Sequence, residues 1–261
     1  MKVAGVALVV ACLAFFGCAS HPDGSDLKSA TSTTGDESNE QLRARIHTEL
    51  AANYFGIGNV GVALEEVREA LRADRNYGPA HNVAGLVYAQ LKEDRLAEES
   101  FQRALAINPN DSDARHNYGE FLCQRKQERE AIRQFILAVR NPLYATPDRS
   151  YVNAGVCARR MGDAAGAVEF FQLALKVRPN QPQALYQMAD LSYARRDYGE
   201  AKIYLGRLTQ AAPANAETLW LGVRVERRLG DRNSEASYAL QLRNRFPDSR
   251  EARALLAGQY E

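Results

Sequence analysis

The feature that most constrains this chain is an alanine that returns at a nearly constant spacing. Successive copies lie 34, 34, 36 and 34 residues apart, at Ala63, Ala97, Ala131, Ala167 and Ala201. A period near 34 residues indicates an array of helical repeats, in which each unit buries its apolar face only against its neighbours. We therefore expect a protein whose function is binding.

Other positions keep the same register as the alanine. A bulky apolar side chain follows it four residues later, and a small residue precedes it by twelve, where two helices must pass at close range. The bulky positions are Val67, Phe101, Phe135, Phe171 and Leu205, and the small positions are Ala51, Gly85, Gly119, Gly155 and Ala189. Agreement at several positions in five rows makes the pattern specific.

These positions resemble the tetratricopeptide repeat, in which a helix, a tight turn and a second antiparallel helix form one unit. The resemblance implies an all-α fold, a right-handed superhelical solenoid of six helix-turn-helix repeats with a C-terminal capping helix. We assign a repeat domain to residues 41–261, with repeats at 44–77, 78–111, 112–145, 148–181, 182–215 and 216–249 and the cap at 250–261.

Two rows depart from the pattern. The third ends two residues late, across Pro142 and Pro147, so we expect disturbed stacking between rows three and four. The sixth has Glu235 where alanine is expected and Val223 where a small residue is expected. Row six is therefore predicted to be either a degenerate cap or a looser repeat.

The N-terminal residues carry a separate signal. A lysine precedes an apolar stretch at residues 3–16, which is short for a membrane span and fits a secretory signal. Residues 1–17 followed by Cys18 are similar to a bacterial lipoprotein signal, and the resemblance implies cleavage before Cys18 and acylation of its thiol. Cys12 matches the same short pattern, but cleavage there would leave an apolar start, so Cys18 is favoured. An ordinary cleaved signal without lipid is the alternative.

The next segment, residues 18–40, has almost no large apolar side chains, and we expect it to form a flexible tether. Ala19 at the second mature position implies, by the same lipoprotein resemblance, export to the outer membrane with the repeats facing the periplasm. The formal net charge of +1 offers no general attraction to nucleic acid.

No catalytic, cofactor or metal site is expected. The sequence contains no glycine-rich phosphate loop, no paired-cysteine metal pattern and no nucleophile elbow. His47, His81 and His116 recur with the repeat, so packing explains them better than metal binding. Cys123 and Cys157 lie 34 residues apart on neighbouring first helices. We expect small apolar fillers there, with a disulfide as the alternative.

Two surfaces are candidates for partner binding. In this repeat family the first helices line the concave face, which implies an apolar groove in the first two repeats at Ala52, Phe55, Leu86 and Ala89. The preceding chain could instead fold back and fill this groove. The second surface combines guanidinium and aromatic groups, as binding hot spots do. It consists of Arg159, Arg160, Tyr186, Tyr193, Trp220, Arg224, Arg227 and Arg228, and its alternative is a solvated arginine-rich face.

The layout of lipoprotein signal, polar tether and six repeats resembles the pilotins of type IV pili, the PilF/PilW family. Local similarity lies in residues 116–122, 180–182, 188–191, 237–238 and 240–242. The resemblance implies an outer-membrane lipoprotein that binds subunits of the pilus secretin and promotes their localisation and assembly into the multimer. Its partners would be the secretin and, through acylated Cys18, the outer-membrane lipid. The alternative is a periplasmic repeat scaffold that organises another envelope complex, such as cell-wall enzymes.

Overall fold

The computed structural model describes residues 38–260, and this part of the chain contains thirteen α-helices and no strand. The signal segment, Cys18 and most of the predicted tether lie outside the described residues. The end of the tether needs a correction, because the first helix begins at Asn39 rather than after residue 40. Ser38 starts this helix through a capping box, in which it exchanges hydrogen bonds with Gln41.

The helices form six pairs, which we call repeats one to six, and one final helix. The first helices of the pairs are α1 (Asn39–Gly56), α3 (Gly78–Gln90), α5 (Ser112–Gln124), α7 (Pro147–Arg160), α9 (Pro182–Ala194) and α11 (Ala216–Leu229). Their partners are α2 (Val60–Ala73), α4 (Asp94–Ile107), α6 (Glu128–Ala138), α8 (Ala164–Val177), α10 (Tyr198–Ala211) and α12 (Arg232–Arg245). The last helix is α13 (Arg250–Leu256). The predicted all-α repeat solenoid with a capping helix is confirmed.

The alanine rhythm marks the tightest contact inside each pair. All five alanines that define the period are fully buried. The predicted close approach is confirmed in repeats two to four, where a glycine on the first helix lies against the phenylalanine ring of the second. A Cβ atom built on Gly155 would lie only 2.5 Å from Cε1 of Phe171. A side chain larger than hydrogen therefore does not fit there without displacing the ring.

The turn inside each pair contains one residue in the left-handed region. Repeats one, four and six use Gly58, Gly162 and Gly230, whereas repeats two, three and five place Lys92, Lys126 and Arg196 there, with φ between 62° and 65°. Glycine is the residue that adopts this conformation without steric cost, and it occupies the position in only three repeats. The same turn geometry is thus kept in all six repeats, at a conformational cost in three of them.

Repeats three and four are joined more closely than the sequence indicated. Helix α6 has 11 residues where α4 and α8 have 14, and residues 139–146 connect it to α7. Cys123 on α5 and Cys157 on α7 form a disulfide with their Cα atoms 6.0 Å apart. The expectation that these cysteines are apolar fillers is therefore wrong, and the insertion does not separate the two repeats.

A buried polar cluster lies at the same junction. Nδ1 of His116 is 2.8 Å from the Oγ of Ser150, which in turn donates to the hydroxyl of Tyr144 at 3.3 Å. Burial lowers the pKa of His116 from its ordinary value, and the carboxylate of Glu120, 3.7 Å from Nε2, opposes this shift. The imidazole is therefore held neutral by its surroundings and serves packing between the repeats.

Repeat six is ordered but slipped by one position. Gly222, not the residue at 223, lies against an aromatic ring, since a Cβ there would meet the ring of Tyr238 at 2.8 Å. Val223 is fully buried instead, and Glu235 pairs with Arg227 at 3.0 Å. The final helix covers this repeat through a core formed by Leu219, Leu242 and Ala252.

Candidate partner-binding surfaces

The first groove, predicted at Ala52, Phe55, Leu86 and Ala89, lies on α1 and α3. Ala52 is exposed, and the other three side chains are partly buried. Phe55 packs on the core of repeats one and two, whereas Leu86 and Ala89 pack on the core that repeats two to four share. Each of these three therefore keeps part of its apolar surface available while the core fixes its position.

A polar ladder that the sequence did not indicate joins the first helices of repeats two to four. The amide of Asn117 donates to the side-chain oxygen of Asn82 at 3.1 Å, and the amide of Asn153 donates to Glu120 at 2.5 Å. Both donors fall at position six of their rows, whereas the acceptors Asn82 and Glu120 fall at positions five and nine, so a search for one repeated position misses the pairing. The ladder fixes the relative position of neighbouring first helices by side-chain hydrogen bonds.

The second surface divides into two parts. Arg159 bridges α7 and α9, since its guanidinium donates to Gln187 and lies 2.8 Å from the carboxylate of Asp190. Arg160 turns toward repeat three and donates to the backbone carbonyl of Cys123 at 3.1 Å. These two arginines are therefore engaged in holding repeats three, four and five together.

The other part of this surface centres on α11 and is partly covered by the chain itself. The ring of Tyr260, which follows α13, stacks on Trp220 with ring centroids 5.7 Å apart. The guanidinium of Arg227 lies over the same tyrosine ring, with its Cζ atom 4.0 Å from the Tyr260 ring centroid. Nε of Arg224 donates to the carbonyl oxygen of Tyr260 at 3.2 Å, and its guanidinium lies 4.3 Å from the ring of Tyr193. Nothing in the repeat pattern indicated this covering tyrosine.

Arg228, the remaining predicted member, is exposed in the last turn of α11.

A cleft of about 600 Å³ lies beside this covered region, bounded by α9, α11 and α13. Its lining residues are Tyr186, Glu217, Trp220, Leu221, Arg224, Arg250, Glu251, Arg253, Ala254, Ala257 and Gln259. Burial, assisted by the charge of Asp190, raises the pKa of Tyr186 to about 12, so its phenol stays protonated. The cleft thus offers a neutral hydroxyl, aromatic walls and three guanidinium groups, a combination suited to contacts with a peptide.

Residues 38–260 contain no group of three or more His, Cys, Asp and Glu side chains placed to hold a metal ion. In the same part of the chain, every helix is too short or too polar to cross a bilayer.

Comparison with known proteins adds to this geometry. The tetratricopeptide-repeat family matches residues 78–111, 100–133 and 158–220. The chain is 31% identical over 251 residues to the type IV pilus assembly protein PilF of Pseudomonas aeruginosa, covering 96% of this chain and 97% of that protein.

Two solved structures are similar over most of the chain. The structure of Pseudomonas aeruginosa PilF has 32% identity and a TM-score of 0.77, and it covers 85% of this chain and 100% of its own. The structure of PilW, described as a widely conserved type IV pilus biogenesis factor, has 29% identity and a TM-score of 0.73, and it covers 82% of this chain and 98% of its own. The similarity therefore extends over the whole repeat array.

Proposed function

The chain belongs to the family of the type IV pilus assembly protein PilF, and from this membership we propose that it is a pilotin, an outer-membrane lipoprotein that binds subunits of the pilus secretin. It promotes their localisation to the outer membrane and their assembly into the multimer, and so supports pilus biogenesis and twitching motility. The observation that carries the proposal is 31% identity over 96% of the chain. A match to the repeat pattern alone would be less specific, because it would not extend to the residues outside the repeats.

The repeat array supports a role in holding another protein. The first groove presents apolar side chains on two adjacent first helices, which suits the apolar stripe of a helix or an extended segment. Acyl chains on Cys18 would hold the protein at a membrane, since several chains anchor firmly where one anchors only marginally. Tethering then raises the effective concentration of a bound secretin subunit at that membrane.

The first test is to replace Cys18 by alanine in cells that assemble pili. We expect the protein to leave the outer-membrane fraction and secretin multimers to be lost while secretin monomers remain, because an unanchored repeat array no longer delivers its partner. The measurement is immunoblotting of membrane fractions, with multimers resolved from monomers.

Cys12→Ala is the matched control, since it makes the same change at the other cysteine of the N-terminal segment, inside the apolar stretch that precedes Cys18. We expect this variant to behave as wild type. Normal secretin multimers in a strain that lacks the protein altogether, accompanied by altered cell shape, would reject the pilotin function in favour of a scaffold for another envelope complex.

A second prediction concerns the first groove. Replacing Phe55 or Leu86 by glutamate should weaken secretin binding by about thirtyfold or more, since loss of a central apolar anchor costs about 2 kcal/mol or more. Ala52→Glu should have a similar effect without disturbing the core, because Ala52 is exposed. The measurement is the affinity of the purified protein for secretin fragments.

Ile203→Glu is the control for this prediction. Ile203 is a large apolar residue with 64% of its surface exposed, and it lies on α10, a second helix outside the groove. If all four variants bind secretin fragments with the affinity of the wild type, the first groove is excluded and the second surface becomes the candidate.

A further inference from the structure

The residues after α13 occupy part of the second surface in the manner of a bound peptide. The Tyr260 ring contacts two side chains of α11: its centroid lies 5.7 Å from that of the Trp220 ring and 4.0 Å from Cζ of Arg227. Its backbone carbonyl accepts a hydrogen bond from Arg224. One ring slot and one backbone bond are the contacts by which a repeat protein would hold an extended segment of another chain.

The adjoining cleft continues this site. Trp220 and Arg224 contact Tyr260 and also line the cleft, so the ring slot and the cleft share a wall. Its volume of about 600 Å³ falls within the range of ligand-binding sites. The covered slot and the open cleft therefore form one surface, of which the chain itself fills only a part.

Charge in the cleft favours an acidic ligand. Arg250 and Arg253 line it from α13, and among residues 38–260 no carboxylate lies within salt-bridge distance of either one. Glu217 and Glu251 are the acidic residues of the lining, against three arginines, so the net charge is positive. A carboxylate that enters the cleft would gain charge-assisted hydrogen bonds to two guanidinium groups that have no carboxylate partner within residues 38–260.

We propose that this surface binds an extended segment of a partner protein in which an aromatic side chain stands next to an acidic one, and that Tyr260 fills the aromatic slot until the partner displaces it. The partner's ring takes the place of the Tyr260 ring against Trp220 and Arg227, and its carboxylate reaches Arg250 and Arg253. The inference rests on the proposed function only in that the secretin would supply the segment.

The C-terminal segment that carries Tyr260 competes with a partner for the aromatic slot, and the strength of this competition can be measured. A segment tethered to its own site is present at an effective concentration in the millimolar range. The apparent affinity of a free ligand falls in proportion to the fraction of molecules in which the slot is open. If the tail fills the slot about 90% of the time, removing its ring strengthens the binding of a competing peptide about tenfold.

The test uses Trp220, the sole tryptophan of the chain, as the reporter. The probe is a synthetic peptide with the sequence of residues 256–261, Leu-Ala-Gly-Gln-Tyr-Glu, blocked at both ends. It is titrated into the full chain in detergent while tryptophan fluorescence is recorded. We expect Tyr260→Ala to bind this peptide about tenfold more tightly than wild type does.

Matched variants separate the site from general effects of mutation. Tyr260→Phe should behave as wild type, because the contacts with Trp220 and Arg227 use the ring and the bond from Arg224 uses the backbone. In the Tyr260→Ala background, the pair Arg250→Gln and Arg253→Gln should weaken the peptide and reduce its dependence on salt. A peptide with alanine in place of its tyrosine should not bind.

Equal affinity of the peptide for wild type and Tyr260→Ala, or no change in Trp220 fluorescence in either, overturns the inference. These outcomes leave the proposed function standing if Cys18→Ala still abolishes secretin multimers, since no secretin enters the titration. Peptide binding as expected, in a protein whose deletion leaves secretin multimers intact, supports the inference and overturns the proposed function.

Discussion

The double variant Cys123→Ser, Cys157→Ser is expected to have a free energy of unfolding about 3 to 4 kcal/mol lower than wild type. The bond between these cysteines closes a loop with a sequence separation of 34 residues, and opening it gives the unfolded chain more conformations. Both sulfurs are buried between α5 and α7, so serine hydroxyls there also lose their hydration.

The measurement is a urea titration with and without reductant. Reductant should lower the stability of the wild type by a similar amount and leave the double variant unchanged, which makes the variant its own control. Peptide mapping of unfolded, unreduced protein should recover residues 123 and 157 in one linked fragment. Recovery of both as free thiols would contradict the disulfide and restore the expectation of two apolar fillers.

Phe171→Ala is expected to cost about 4 kcal/mol, the second large effect. Its ring is fully buried between α7 and α8 and lies directly against the backbone of Gly155. Removing the ring leaves a cavity in the middle of the solenoid, where two repeats share a core. Phe170→Ala is the matched control, and we expect a smaller cost because the neighbouring ring is only partly buried.

A double-mutant cycle tests the glycine–ring contact itself. Gly155→Ala alone should destabilise by about 2 kcal/mol, because its methyl group overlaps the ring of Phe171. In the Phe171→Ala background the same change should be neutral or stabilising, since alanine is a better helix former and the obstruction is gone. Additive effects of the two substitutions would show that the ring does not require glycine at position 155.

The sequence predicts most of the helical scaffold because its repeat positions are set by packing. The small residue Gly155 leaves room for the ring of Phe171 on the neighbouring helix, and Ala167 is buried in the same repeat. The spacing of these residues in the sequence therefore predicts a contact between the two helices. The turns are harder to predict from the sequence. Lys92 and Arg196 adopt the same left-handed conformation as Gly58, although their side chains do not favour it. Their strain is tolerated because the two flanking helices already fix the ends of the turn.

Repeat six shows where a fixed period fails. A slip of one residue moves the close contact to Gly222 and Tyr238, and a search at constant spacing finds Val223 and Glu235 instead. The contact between the two helices is kept, but the residues that make it no longer stand at the constant spacing of the other repeats. An ordered repeat can therefore look degenerate in the sequence.

The candidate surfaces were only partly predictable. Trp220, Arg224 and Tyr193 share one surface because first helices stack at regular intervals, which the period encodes. The contribution of Tyr260 depends on where the chain turns after α13, and no repeat governs that turn. Arg159 and Arg160 carry the same guanidinium chemistry, yet their partners lie in neighbouring repeats and commit them to the scaffold.

The bond between repeats three and four also has a mechanical meaning. In the proposed function the protein is held at a membrane and loaded by a partner, which would put tension on its chain, and each unit of a repeat array contacts only its neighbours. With the disulfide intact, force applied to the two ends passes across it, so the enclosed residues are not extended. With a sequence separation of 34 residues, this removes roughly 110 Å of extensible length. The middle of the array is thereby shielded from pulling, and any stretching under load is confined to the repeats on either side.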